Sequence, residues 1–250
     1  MDFIFCSDIH LDHCDDSKKK QFFTRISNET ESLILCAGDI GTYPNLVQNI
    51  EEFKNVNKDL HYIFGNHDFW DGPGVFEQQS EFATEGGYMT FGKPFLLPGT
   101  DILVVGQDGF YDAKGKGGGI RYMTDMFRIP TFRGKGVVGQ EAIVRRIAKN
   151  SVMKIKKIIG NTAPSKILLI THVPPFFVKN RHHDPRIDSM YQNKVLGDFL
   201  SKLDIPTVVL CGHTHEQCDI MVGKVRQMSF NAQYELPTYL RLSTEELFNV

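Results

Sequence analysis

The chain has 250 residues, 41% hydrophobic and 23% charged, with a formal net charge of -2. That composition excludes collagen, coiled coil and wholesale disorder, and no apolar run approaches the ~20 residues needed to span a bilayer. The near-neutral total argues against a general nucleic-acid coat protein, so nucleic acid is a possible but not favoured partner.

In chain order, Phe3–Cys6 reads as a buried strand, Ser17–Ser27 as a helix and Leu33–Cys36 as a second strand. Pro44–Lys54 reads as a helix whose first turn tolerates proline, and His61–Phe64 as a third strand. This β-α-β-α-β order predicts a sheet covered by helices. Ile102–Val105, Ile167–Ile170 and Val208–Cys211 are further short apolar runs of the kind buried on both faces. Residues 106–139 hold nine glycines in 34 positions and are predicted to form a basic, glycine-rich loop insertion in a single domain spanning 1–250. Gln140–Ile159 has apolar residues at helical spacing, and Gly160 is the expected terminator.

Charge is segregated along this order. Residues 1–105 hold 7 Lys and Arg against 17 Asp and Glu, residues 106–160 hold 12 against 4, and residues 161–250 hold 9 against 9. An acidic first part concentrates cations and a basic middle attracts anions. The beginning of the chain lacks the basic leader of a signal peptide. The five cysteines (6, 14, 36, 211 and 218) form no CxxC pair. Both points predict a reduced, cytoplasmic chain with buried thiols and no membrane association.

Five predicted strands each deliver His, Asp or Asn at their carboxyl ends. These are Asp8 and His10, Asp39, Asn66 with His67 and Asp68, His172, and His213 with His215. In open α/β sheets ligands bind at that edge, so residues up to 207 positions apart can converge there. Carboxylates, imidazoles and an amide, without thiolate, suit divalent ions such as Mn²⁺, Fe or Zn²⁺. Seven candidate ligands (Asp8, His10, Asp39, Asn66, His172, His213 and His215) exceed one tetrahedral ion. They suit two ions of higher coordination sharing a water and a bridging carboxylate, for which Asp39 is the natural choice.

Asp8-x-His10, Gly38-Asp39, Gly65-Asn66-His67-Asp68, His172 and Gly212-His213-x-His215 together resemble the signature of the calcineurin-like metallophosphoesterase superfamily. The resemblance spans residues 8 to 215. It implies a four-layer α/β/β/α sandwich and two metals, with Mn²⁺ the leading expectation. One ion would be held by Asp8, His10, Asp39 and His215, the other by Asp39, Asn66, His172 and His213. It implies that His67 is the non-ligating catalytic histidine and Asp68 its orienting partner. The implied reaction is attack on phosphorus by a water acidified between the cations, with His67 protonating the leaving oxygen. Gly109-Phe110-Tyr111-Asp112 resembles an element of some small bacterial members.

The substrate predicted from these features is a phosphorylated small molecule or nucleotide, with a slight lean to a phosphodiester because a basic rim tolerates a second ester group. The alternatives are a protein-interaction module with structural metals, a protein phosphatase, or a double-strand-break nuclease, the last disfavoured by the absence of room for large extra domains. Arg121, Arg128 and Arg181 are the expected anion-binding residues, with Arg133, Lys179, His182, His183 and Arg186 nearby. Trp70, the only tryptophan, either stacks on a substrate ring or belongs to the core. The sequence does not indicate an oligomeric state.

Overall fold

The computed structural model describes residues 1–56, 58–90, 93–113, 119–178 and 187–249. The chain order is β1 (Asp2–Cys6), α1 (Asp16–Ser27), β2 (Leu33–Cys36), α2 (Asn45–Lys54), β3 (Asp59–Tyr62), α3 (Val75–Phe82), β4 (Phe95–Leu96) and β5 (Ile102–Gln107). It continues with α4 (Asp125–Arg128), α5 (Val137–Thr162), β6 (Lys166–Thr171), α6 (Lys194–Leu200), β7 (Thr207–Leu210), β8 (Cys218–Val222), β9 (Val225–Ser229), β10 (Leu240–Ser243) and α7 (Thr244–Phe248). A four-stranded sheet is ordered β10-β1-β2-β3 and a six-stranded sheet β4-β5-β6-β7-β9-β8. Strands β1, β2 and β3 run parallel, as do β5, β6 and β7, so each sheet presents a row of carboxyl ends.

The two-residue period of the strands divides the core into layers. Phe3 and Phe5 of β1 join Leu33, Leu35, Ile102, Val104, Leu168, Ile170, Val208 and Leu210 in one apolar cluster between the sheets. The alternate residues Ile4, Cys6, Ile34 and Cys36 face outward onto Phe22 and Ile26 of α1 and Leu46, Ile50 and Phe53 of α2. Leu103, Val105, Ile167, Leu169 and Val209 cover the far face of the second sheet with Val152, Ile155 and Ile159 of α5 and Leu196 and Leu200 of α6. This is the expected α/β/β/α sandwich. Asp15 caps α1 by accepting the Lys18 N–H at 2.8 Å, a role suited to its extended backbone.

Several predicted boundaries move. Strand β3 ends at Tyr62 rather than Phe64, because the Phe64 N–H is taken by the buried Asp108 carboxylate at 2.7 Å and leaves the ladder. Gly160 does not end α5. The helix runs on to Thr162 and stops at Ala163, which adopts the left-handed conformation (φ 44°) immediately before Pro164. Residues 106–139 are not a bare loop either. They open inside β5, contain a 3₁₀ turn at Gly119–Tyr122 and α4, and close in the first turn of α5. Lys114–Gly118 lie outside the described residues. No helix among the described residues is long and apolar enough to cross a membrane.

Candidate metal centre

The two sheets meet at their carboxyl edges, and backbone hydrogen bonds stitch the motifs together. The Asp8 N–H donates to Gly38 O at 3.0 Å, His10 N–H to Asp39 O at 3.0 Å and Gly212 N–H to His172 O at 2.9 Å. Glycine is required where these turns pass closest. A Cβ on Gly65 would lie 2.2 Å from Asp39 Oδ1, and one on Gly212 would lie 2.1 Å from Asp8 Oδ2.

All seven expected ligands are brought into one cluster. Asp39 Oδ2 stands 3.3 Å from His172 Nε2 and 3.7 Å from His10 Nε2. His215 Nε2 stands 3.4 Å from Asp8 Oδ1 and 3.3 Å from His10 Nε2. Asn66 Oδ1 faces His172 Nε2 at 3.1 Å and His213 Nδ1 at 3.0 Å. Asp8, His10 and His215 form one compact donor group, Asp8, Asp39 and His172 another, and His10, Asp39 and His67 a third. Asp8, His10 and Asp39 each belong to two of these groups.

Outer hydrogen bonds aim the donors. His172 donates from Nδ1 to Ala37 O at 2.8 Å, which turns Nε2 toward the cluster. His213 donates from Nε2 to Met190 O at 2.8 Å, which leaves Nδ1 facing inward. Asp8 is fixed by the Ser7 hydroxyl at 2.7 Å and the His213 N–H at 2.8 Å. Such partners set the tautomer and orientation of a ligand.

The donor set fits divalent cations. Asp8 and Asp39 are fully buried, and no Lys or Arg pairs with either among the described residues, whereas buried charge ordinarily needs a partner or a metal. The Nδ1 atoms of His10 and His67 are buried without a protein partner. Burial opposes ionisation of Asp8, yet the His215 hydrogen bond and the charges of His172 and His215 hold its carboxyl well below the usual range. Burial drives His10 down to about 3, and burial with the neighbouring His172 takes His213 to about 4. Against the opposing effect of burial, the Asp39 and Asp8 carboxylates raise His172 to about 10.

A cation binding at His172 must therefore displace a proton at neutral pH. The raised His172 pKa stabilises the cation-free fold below its ordinary 6.5, and that contribution is lost as pH rises through about 10. Cation affinity runs the opposite way and tightens with rising pH over the same window. Calorimetric Mn²⁺ titration at pH 7 is expected to give heats that depend on the ionisation enthalpy of the buffer. Buffer-independent heats would show that no proton is released.

Among the described residues no hydrogen bond joins the Asp68 carboxylate to His67. The two Asp68 carboxylate oxygens accept the backbone N–H groups of Asp39, Ile40, Gly41 and Gly65 at 2.8–3.0 Å, so Asp68 builds the turn that carries Asp39. Burial and the adjacent Asp39 charge push its pKa well up, against the amide bonds. His67 is held instead by Trp70, whose ring stacks on it with centroids 3.6 Å apart and 22° between planes.

Two of the expected anion-binding residues make other contacts. Arg128 pairs with Asp71, joined there by Arg133, and lies over the Trp70 ring, 4.5 Å from its centroid. Arg121 covers Tyr122 at 5.0 Å. Trp70 lines the cleft above the cluster, whereas Arg121 and Arg128 do not. Arg181, with Lys179, His182, His183 and Arg186, lies outside the described residues. Arg121 and Arg128 thus each back an aromatic residue that lines the cleft, Tyr122 and Trp70.

Sequence reading missed Asp125, which belongs to no motif. Buried on α4, it accepts Asn66 Nδ2–H at 3.0 Å and Trp70 Nε1–H at 2.6 Å on one oxygen, and the Tyr111 hydroxyl at 2.7 Å on the other. It thereby turns the Asn66 carbonyl oxygen inward and fixes the ring that holds His67. The 109–112 element serves the same frame, since Tyr111 supports Asp125 and Asp112 accepts the Val195 N–H at the start of α6. Asp125→Ala is expected to weaken Mn²⁺ binding about 10–100-fold, the scale of losing an outer partner. Emission of the single tryptophan should shift with it, and unchanged affinity with unchanged emission would remove Asp125 from this role.

A family model described as calcineurin-like phosphoesterase matches residues 1–217. Among solved structures, the chain is similar to a phosphopantetheinyl hydrolase from Mycobacterium tuberculosis, with TM-score 0.69 and 14% identity over 97% of this chain and 96% of that one. It is also similar to a dimetal phosphatase from Danio rerio, with TM-score 0.54 and 12% identity over 92% of this chain and 86% of that one. At these identities the likeness is one of fold. Comparison with curated proteins gave no match.

Proposed function

The chain belongs to the calcineurin-like phosphoesterase family, a family of metal-dependent phosphoester hydrolases, and on that premise we propose that it hydrolyses phosphate esters of small molecules at the cluster formed by Asp8, His10, Asp39, Asn66, His172, His213 and His215. Backbone strain carries this reading. Of the seven candidate ligands, Asp8, His10, Asp39, His213 and His215 all adopt left-handed backbone, with φ between 40° and 70°. Each such residue costs of order 1–3 kcal/mol and persists only where the surroundings hold it. Asp and His tolerate this region better than most residues, but its concentration at one edge of two sheets marks a site shaped for ligation.

Two divalent cations, when bound, supply positive charge to the phosphoryl oxygens and acidify an attacking water. Asp39 is suited to hold both, with Asp8, His10 and His215 on one side and Asn66, His172 and His213 on the other. His67 stands beside His10, with ring centroids 4.7 Å apart, and borders the cleft in which an ester's alcohol would lie. Its role in this reading is to give a proton to the departing oxygen. Trp70 stacking and the Asp125 hydrogen bond restrict how that imidazole can turn.

Purified protein loaded with Mn²⁺ is expected to hydrolyse generic phosphate monoesters, and chelation should abolish the activity reversibly. Absence of turnover with Mn²⁺, Fe²⁺ and Zn²⁺ at full loading would refute the hydrolase reading and leave a binding module.

A further inference from the structure

The cleft above the cluster has walls for which metal ligation offers no explanation. It encloses about 700 Å³, within the range of small-molecule sites. Tyr234, on the loop after β9, stacks on His10 with centroids 4.5 Å apart and lies 4.9 Å from His215. The residue is nevertheless 48% exposed and lines the cleft. Tyr191 stands 5.7 Å from His213, and the exposed Tyr122 lines the same space. The carboxamides of Asn231 and Gln233, close to Tyr234 in the chain, complete this rim. Among the described residues the only charged groups on these walls, apart from the histidines, are the carboxylates of Asp39, Asp125 and Glu216.

These surfaces define what would rest on them. An ester phosphate held at the cluster places its alcohol in the cleft. A half-exposed tyrosine beside the reacting position offers a flat apolar face and loses little rotamer entropy on contact. Carboxamides present both donors and acceptors, so they can pair with the edge of a heterocycle. Resting on the hydrolase reading above, we propose that this cleft is a subsite for a flat, uncharged ring on the alcohol side of a phosphate monoester. Tyr234 is its specificity-determining residue.

Two probes separate the contributions: ribose 5-phosphate lacks the ring, and adenosine 5′-monophosphate carries it on the same primary ester. The Mn²⁺-loaded enzyme should show a kcat/KM for the monophosphate at least about tenfold above that for ribose 5-phosphate, the effect of one stacked base. Tyr234→Ala should lower the monophosphate value about tenfold more than the ribose 5-phosphate value, mainly through KM, and Tyr234→Phe should restore it. Binding of adenosine itself, followed by calorimetry, should weaken in Tyr234→Ala and recover in Tyr234→Phe.

Equal kcat/KM for the two monoesters or equal losses in Tyr234→Ala would each overturn the subsite. Should no ester turn over, the calorimetric comparison of adenosine with ribose still decides the point. Tyr234-dependent adenosine binding would then sustain the ring subsite while the hydrolase reading fails, and its absence would sink both.

Discussion

Asp39→Asn is expected to reduce bound divalent metal from two ions per chain to one or none, and to lower kcat/KM by at least about 10³-fold, the scale of losing several kcal/mol of cationic charge stabilisation. The substitution is nearly isosteric. Its side-chain oxygen can still accept the His67 N–H that Asp39 Oδ1 accepts at 2.9 Å, so the turn keeps its hydrogen bond while the charge goes. What disappears is the carboxylate shared between the groups around His10 and His172. Asp39→Ala removes the hydrogen bond as well and should empty both positions. The change also reaches His172, whose pKa is raised chiefly by Asp39 against burial. Without that charge the His172 pKa should fall, and the buffer dependence of the Mn²⁺ titration heat at pH 7 should shrink with it. Elemental analysis showing two ions at full occupancy in Asp39→Asn, with wild-type turnover, would remove Asp39 from the bridging role.

The ligand positions were legible because parallel strands buried on both faces read as short apolar runs, and each run is followed at once by its donor. The remaining strands of the two sheets were not, for physical reasons. Strand β8 is half-exposed and β9 alternates between buried and intermediate positions, so neither forms an apolar block. Strand β10 is a short edge strand carrying Arg241, which pairs with Glu31 across the chain. Motif residues also do not announce their partners. Asp68 sits beside His67 in sequence, but its carboxylate is consumed by four amides of neighbouring turns. Segmental charge misled in a similar way. The basic middle of the chain is expected to attract anions, whereas Arg128 and Arg133 share the single carboxylate of Asp71 from the acidic first part. Asp125 became visible only in three dimensions, since Asn66 and Trp70 reach it from 59 and 55 positions away.

His67→Ala is expected to retain both metals and to lose about 10²–10⁴-fold in turnover of an alkyl phosphate, the range of a positioned general acid. An alkoxide is too basic to depart unprotonated at neutral pH, so the loss should fall on kcat. A nitrophenolate needs no proton, and turnover of a nitrophenyl phosphate should fall far less. This contrast separates proton donation from ligation, a distinction the geometry makes necessary. One ring nitrogen of His67 lies within 4.8 Å of donor atoms of His10 and Asp39, and its Nδ1 is buried without a protein partner. Were His67 a ligand, the variant would lose metal and both esters would suffer alike. Trp70→Phe supplies the complementary measurement. It keeps a ring against His67 but removes the indole N–H that Asp125 accepts at 2.6 Å. Its effect should track the alkyl ester and leave metal content unchanged, because Asn66 still holds its own hydrogen bond to Asp125 at 3.0 Å. Equal losses with alkyl and nitrophenyl esters in His67→Ala, at full metal occupancy, would mean that His67 positions the substrate rather than protonates its leaving oxygen.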